Sequence, residues 1–220
     1  MRYEKLAKFK EVGEKGKEAF GQKTVAIVGL GNVGSNLAVM LLQSGISLRL
    51  IDKGRVDLRE LSSQALYLEE DHDKFKAKQA KKYLETINPK AKVRTFHEDL
   101  GKQNIYLIDA DVVVDATGDL KTAQLISDEA KKKKTPMIFS AVSGSQGLIV
   151  TSDKGISIDK VKAAMSKMKP IDEAGLINPT VHVAAAIIAA KVMKILLKKP
   201  YTKEMVQFDT WQETMKKQKI

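Results

Sequence analysis

The stretch from Thr24 to Asp52, TVAIVGLGNVGSNLAVMLLQSGISLRLID, limits what this chain can fold into more than any other. A short β-branched run, Val25 to Val28, leads at once into Gly29, Gly31 and Gly34 and then into an apolar-periodic segment, Leu37 to Leu42. The order is strand, glycine turn, helix. Gly45 supplies a helix stop, and a second apolar run, Leu48 to Ile51, ends on Asp52, which closes a βαβ unit. Gly29 permits the tight turn, Gly31 lets backbone N–H groups approach a pyrophosphate, and Gly34 lets the helix lie close to the strand. The helix N-terminus, with Asn32 in the same loop, then faces an anion. Asp52, about 20 residues past the turn, is placed to accept hydrogen bonds from a ribose hydroxyl. The stretch predicts a nucleotide site; a glycine turn kept only for packing is the competing reading.

Composition narrows the classes further. The chain of 220 residues suits a single domain over 1–220, and a hydrophobic content of 43% supports a buried core. No apolar run approaches the length needed to cross a bilayer, the longest, Val183 to Ala190, being stopped by Lys191. The charged N-terminus lacks the apolar core of a secretory signal, so no membrane and a cytoplasmic location are expected. The absence of cysteine excludes disulfides, thiolate zinc sites and a cysteine nucleophile. The three histidines, His72, His97 and His182, are scattered and form no ligand set. A formal net charge of +11 favours an acidic partner, but nearly all of it is lysine. Runs such as Lys131 to Lys134 fit solvated helix faces. Base readout leans on arginine, so a nucleic-acid surface is not expected.

The remaining elements follow in order. Residues 1–20 predict an amphipathic helix, broken near Gly13 and Gly16, with Tyr3, Leu6, Phe9 and Val12 toward the protein. A polar connection from Lys53 to Asp73 precedes a helix over Lys74 to Ile87. Strands are expected at Lys92 to Phe96, Asp111 to Asp115 and Pro136 to Ala141, with a helix over Thr122 to Lys134. Gln146 to Thr151 reads as an antiparallel partner, Ile156 to Lys169 as a stretch with a short helix, and Pro179 to Leu197 as a long apolar helix. Met205 to Asp209 reads as a last strand before a basic tail. The fold class is α/β: a Rossmann-like open, mostly parallel sheet with helices on both faces and an antiparallel C-terminal extension. At the end of the fourth strand, DATGD brings Asp115 and Asp119 to the carboxyl edge of the sheet, as ligand acids or as a strand-end and helix N-cap pair.

With these elements placed, the sequence resembles the adenylating domain of sulfur-carrier adenylyltransferases of the ThiF and MoeB type and of ubiquitin-activating enzymes. The likeness runs through RYEK at Arg2 to Lys5, the glycine loop, DKGRVDLRELSSQAL from Asp52, KFKAKQA, the DAT strand end, SAVSGSQGLIV and EAGLINP. The resemblance implies ATP-dependent adenylation of the C-terminal carboxylate of a small ubiquitin-like or sulfur-carrier protein, with magnesium and a homodimer. It assigns phosphate contact to Lys76, the ribose to Asp52, and catalytic roles to Arg2 and Lys5, the N-terminal helix packing across the dimer interface. Asp115 joins the nucleotide-binding set and Asp119 the catalytic set, as magnesium ligand.

Departures from the family pattern are also visible. Ser63 stands in place of a loop arginine, Glu60 in place of asparagine, Asn32 of a glycine, Gly54 of an aspartate, and Gly118 of the usual magnesium-binding aspartate. Arg55, Arg59 and Asp119 are the candidate substitutes for the lost charges. Without cysteine, no zinc is expected and the chemistry stops at adenylation. Two other readings stay open: a non-catalytic nucleotide-binding member or partner subunit of the same fold, and an NAD-binding protein, since GLGNVG followed by LID also suits NAD.

Overall fold

The computed structural model describes residues 2–219. Among them, eight strands form one sheet: β1 (Thr24–Val28), β2 (Ser47–Ile51), β3 (Val93–Phe96), β4 (Val112–Asp115), β5 (Met137–Ser143), β6 (Gln146–Ser152), β7 (Glu204–Asp209) and β8 (Thr214–Lys219). Their spatial order is β3-β2-β1-β4-β5-β6-β7-β8, parallel from β3 through β5 and antiparallel from there on. The order reverses between β1 and β4, where open α/β sheets bind ligands. The helices are α1 (Glu4–Lys8), α2 (Gly13–Gly21), α3 (Asn32–Gln43), α4 (Lys76–Ile87), α5 (Leu120–Lys133), α6 (Ile158–Met165), α7 (Ile171–Ala174) and α8 (Asn178–Leu196).

Both faces of the central parallel strands β1, β4 and β5 are buried, which is why they read as continuous apolar runs. Val112 and Val114 point into the larger core with α3 and α8, while Val113 points into a second core with Ala123 and Ile126 of α5. Helix α8 packs along α3 and over β5 and β6, and its Ala184, Ala185 and Ile188 are fully buried. At 19 residues with a mean hydropathy of 1.5, α8 is long and apolar enough to cross a membrane by length and composition, contrary to the expectation above. Half of that apolar window is buried within the protein, which places it as a core helix.

Three expectations need correction. The N-terminal helix breaks at residues 9–12, ahead of Gly13 at φ +64, and Phe9 is 59% exposed instead of packed inward. Gly16 does not break the helix: it lies buried within α2, where an added Cβ would sit 3.1 Å from Leu197 Cδ2. The basic tail is strand β8. All six of its residues are exposed, so no apolar alternation marks it; backbone pairing with β7 carries it.

One buried ion pair joins α8 to the antiparallel extension. Lys191 Nζ lies 2.8 Å from Glu204 Oε1, with both side chains nearly excluded from solvent. Removing one partner strands a buried charge. Glu204→Ala is therefore expected to lower the unfolding free energy by about 3–5 kcal/mol in urea titrations, whereas joint Lys191→Met and Glu204→Leu leaves it unchanged or higher.

Candidate functional site

The glycine turn is built from three different requirements. Gly29 has φ +88, and a Cβ there would come within 3.0 Å of the Ala116 and Thr117 backbone. At Gly34, a Cβ would fall 1.8 Å from the Gly29 carbonyl oxygen, so α3 can approach β1 only with glycine at this position. Gly31 differs: an added Cβ would meet nothing within 4 Å. Its side lies open at the head of α3, where the first backbone N–H groups of the helix lack intrahelical acceptors.

Around this open turn, Asp52 acts as a clamp. Its Oδ2 accepts from Leu30 N at 2.6 Å and its Oδ1 from Gly54 N at 2.6 Å. The Gly54 carbonyl in turn accepts from Lys76 N at 3.0 Å, which seats the first residue of α4 beside the turn. Gly29, Gly31, Asp52, Lys76, Thr117 and Asp119 line a cavity of about 370 Å³. A second cavity of about 690 Å³ opens on the β5 side, with Asn32, Glu60, Ser140, Lys162 and Lys169 in its wall. The two adjoin at Gly31, Ala116 and Thr117, so one wall of the glycine turn faces both.

The connection after β2 folds into a 3-10 helix, Leu58–Ser63, anchored to the turn by polar side chains. Ser63 Oγ donates to Asn32 Oδ1 at 2.7 Å, and Asn36 Nδ2 donates to the Ser63 carbonyl at 2.7 Å. Glu60 Oε2 receives Lys76 Nζ at 2.5 Å and Gln64 Nε2 at 2.8 Å. Three of the departures from the family pattern, Asn32, Glu60 and Ser63, thus belong to one network that joins the turn to Lys76.

The two acids of DATGD separate in role. Asp115 is wholly buried: Oδ1 accepts from Thr117 N and Oγ1, at 3.0 and 2.6 Å, while Oδ2 has no partner. Burial pushes its carboxyl up to about 7 despite those bonds. It offers no open surface to a ligand and instead shapes the loop. Asp119 caps α5, its Oδ2 accepting from Thr122 N at 2.7 Å and Oγ1 at 2.8 Å. Partial burial pushes its carboxyl up, but the Thr122 and Lys121 bonds outweigh that and hold it below the ordinary range. Both the cap and the cavity-lining position are realised in this one residue.

Arg2 and Lys5 do not reach this site within the chain. Arg2 Nη1 donates to the Ile87 carbonyl at 2.6 Å, at the opposite end of α4 from Lys76, and Lys5 is exposed on α1. Nor do the other arginines replace the missing charges. Arg55 lies 4.3 Å over the Phe75 ring and bonds the Asp73 carbonyl, while Arg59 turns outward onto Asp57 at 2.5 Å. Among the described residues, no three acids or histidines converge on a metal position. Sequence reasoning missed Lys162 and Lys169 as cavity residues. The two lysines come from residues far along the chain, on α6 and just ahead of α7, whereas the DATGD motif marked Thr117.

Comparison with known proteins follows the geometry. The ThiF family pattern matches residues 3–220. The sulfur carrier protein ThiS adenylyltransferase of Bacillus subtilis is 30% identical over 96% of this chain, which spans 65% of that relative's length. The sulfur carrier protein adenylyltransferase of Thermus thermophilus is 26% identical over 98% of this chain and 85% of its own length. Among solved structures, PaaA shares the fold with a TM-score of 0.82 at 24% identity, covering 100% of this chain and 82% of PaaA. E. coli MccB with AMPCPP and MccA shares it with a TM-score of 0.78 at 23% identity, over 92% and 65%.

Two outcomes are expected from the turn and its neighbouring loop. Gly31→Ala leaves the melting temperature unchanged and weakens binding of inorganic pyrophosphate, the anion probe for the turn, in calorimetry, whereas Gly34→Ala loses more than about 4 kcal/mol of stability. For Asp115, the folded form holds its proton over pH values from about 4 to about 7, where the unfolded carboxyl has already lost it. Stability therefore falls as pH rises through that window. Asn keeps the acceptor for Thr117 but cannot ionise, so thermal melts are expected to show Asp115→Asn gaining on the native chain between pH 4 and 7 and holding a constant lead above.

Proposed function

The chain belongs to the ThiF family, and from that premise we propose that it is an adenylyltransferase: it uses ATP to activate the C-terminal carboxylate of a small ubiquitin-like or sulfur-carrier protein. The observation that carries this reading is the pair of cavities meeting at Gly31 and Thr117. A nucleotide in the smaller cavity brings its phosphates to the head of α3, and the carboxylate arrives through the larger one. A carboxylate oxygen attacks the α-phosphorus, the new O–P bond gives the acyl-adenylate, and the bond to the bridging oxygen breaks as pyrophosphate leaves.

This chain's part is mainly electrostatic. The amides at the start of α3 face the phosphate oxygens without reorganisation, and Lys76 sits beside them at the start of α4. Lys162 and Lys169 give the larger cavity a cationic wall that suits an incoming carboxylate. Magnesium would enter on the phosphates and neutralise their charge, with Asp119, Glu98 and Asp99 the cavity-lining acids that could hold it. One or two carboxylates plus phosphate oxygens is an ordinary magnesium environment. Arg2 and Lys5 enter such a reaction only from a second copy of the chain, which is the basis for proposing a homodimer.

A nucleotide-binding subunit without turnover is the second reading, favoured by Gly118, which brings no carboxylate to the cavity wall, and by the existing engagement of Lys76. ATP–pyrophosphate exchange decides between them. With a sulfur carrier ending in glycine, exchange is expected and falls about 100-fold or more in Lys76→Ala. Tight ATP binding with no exchange on any carrier selects the second reading.

A further inference from the structure

Lys76 lines the smaller cavity together with the glycine turn, and it is already engaged. Its side chain is 9% exposed, and its Nζ lies 2.5 Å from Glu60 Oε2. The Glu60 carboxylate is 41% exposed, at the wall of the larger cavity, so the ion pair spans the boundary between the two. Gln64 donates to the same Oε2, and the 3-10 helix bearing Glu60 is tied to the head of α3 through Ser63 and Asn32. The carboxylate is thus held against the lysine by fixed surroundings. It does not belong to a freely rotating surface pair, and the burial of Lys76 protects the interaction from solvent screening.

We propose that Glu60 is a built-in competitor for Lys76: it occupies the lysine when the cradle is empty and holds down the site's affinity for polyphosphate. This rests on the nucleotide reading above. A carboxylate and a phosphate group are anions of similar size seeking the same ammonium. A phosphate reaching Lys76 must draw the lysine from Glu60 or share it, and in either case it meets a like charge close by. The cost grows with the ligand's charge, so it bears on ATP and pyrophosphate and spares an uncharged nucleoside. When pyrophosphate forms, the same carboxylate favours its departure by reclaiming the lysine. Glu60 is in this sense a specificity-determining residue for the phosphate half of the site and touches no reacting atom.

Calorimetry with ATP, inorganic pyrophosphate and adenosine tests this on the native chain, Glu60→Gln, Lys76→Ala and the double variant. Glutamine keeps an oxygen for Lys76 and Gln64, and a melting temperature equal to that of the native chain shows that the variant is folded. The expected result is that Glu60→Gln binds ATP and pyrophosphate about 10-fold more tightly, leaves adenosine unchanged, and has a smaller effect once Lys76 is alanine, because only the like-charge repulsion is then left to remove. Unchanged or weaker ATP binding in Glu60→Gln overturns the proposal while leaving the nucleotide site in place, since Glu60 would then position Lys76 and not compete for it. Equal tightening for adenosine overturns it as a general repacking. If the native chain and every variant fail to bind ATP, the nucleotide reading itself falls, and this inference falls with it.

Discussion

The contact on which the structure most depends is one that a single missing atom permits. Helix α3 crosses the end of β1 so closely that a Cβ at Gly34 would fall 1.8 Å from the Gly29 carbonyl. Because the two meet there, the head of α3 arrives at the carboxyl edge of the sheet with its unpaired amides aimed outward. The close approach also brings Gly29 against Ala116 and Thr117, so the turn and the DATGD loop form one wall. Move α3 outward by the radius of a methyl group, and neither cavity keeps its shared boundary.

Around that contact the chain spends its acids on backbone. Asp52 accepts from Leu30 and Gly54, Asp115 from Thr117, and Asp119 from Thr122, each holding a loop at a strand end or helix start. The loops follow the carboxyl ends of β1, β2 and β4, neighbours at and beside the point where the strand order reverses. Rigid loops at that reversal give the turn a fixed shape before any ligand arrives, which is what preorganised charge stabilisation requires. Asp115 shows the cost: a carboxyl buried with one oxygen unpartnered keeps its proton to about pH 7.

Legibility in the sequence followed how local each signal was. The glycine turn, the VVV strand and α8 were readable because their apolar spacing and turn chemistry lie within a few residues of one another. Strand β8 was not, since its six exposed residues follow no burial pattern and only pairing with β7 defines it. The same limit applies to the site. Asp52 could be picked out from its spacing to the glycine turn and Lys76 through the family resemblance, but Lys162 and Lys169 could not, because they reach the cavity only through the placement of α6 on α5 and β6 and of α7 on β5. Arg55 and Arg59 looked like spare cations in the chain and prove to be bound to Phe75 and Asp57.

What the sequence alone determined is the βαβ cradle, since a strand, three glycines at set spacing and an acid about 20 residues on admit few other local structures, and, through the run of further motifs from RYEK to EAGLINP that the chain shares with it, the family to which the chain belongs. What only the tertiary structure decided is the state of the charges. Asn32, Ser63, Glu60 and Lys76 are spread over more than 40 positions, and nothing in the sequence joined the departures at Asn32, Glu60 and Ser63 to one another or to the expected phosphate lysine. Folding brings them within hydrogen-bond reach, and electrostatic interaction depends on distance and burial, which residue order does not encode.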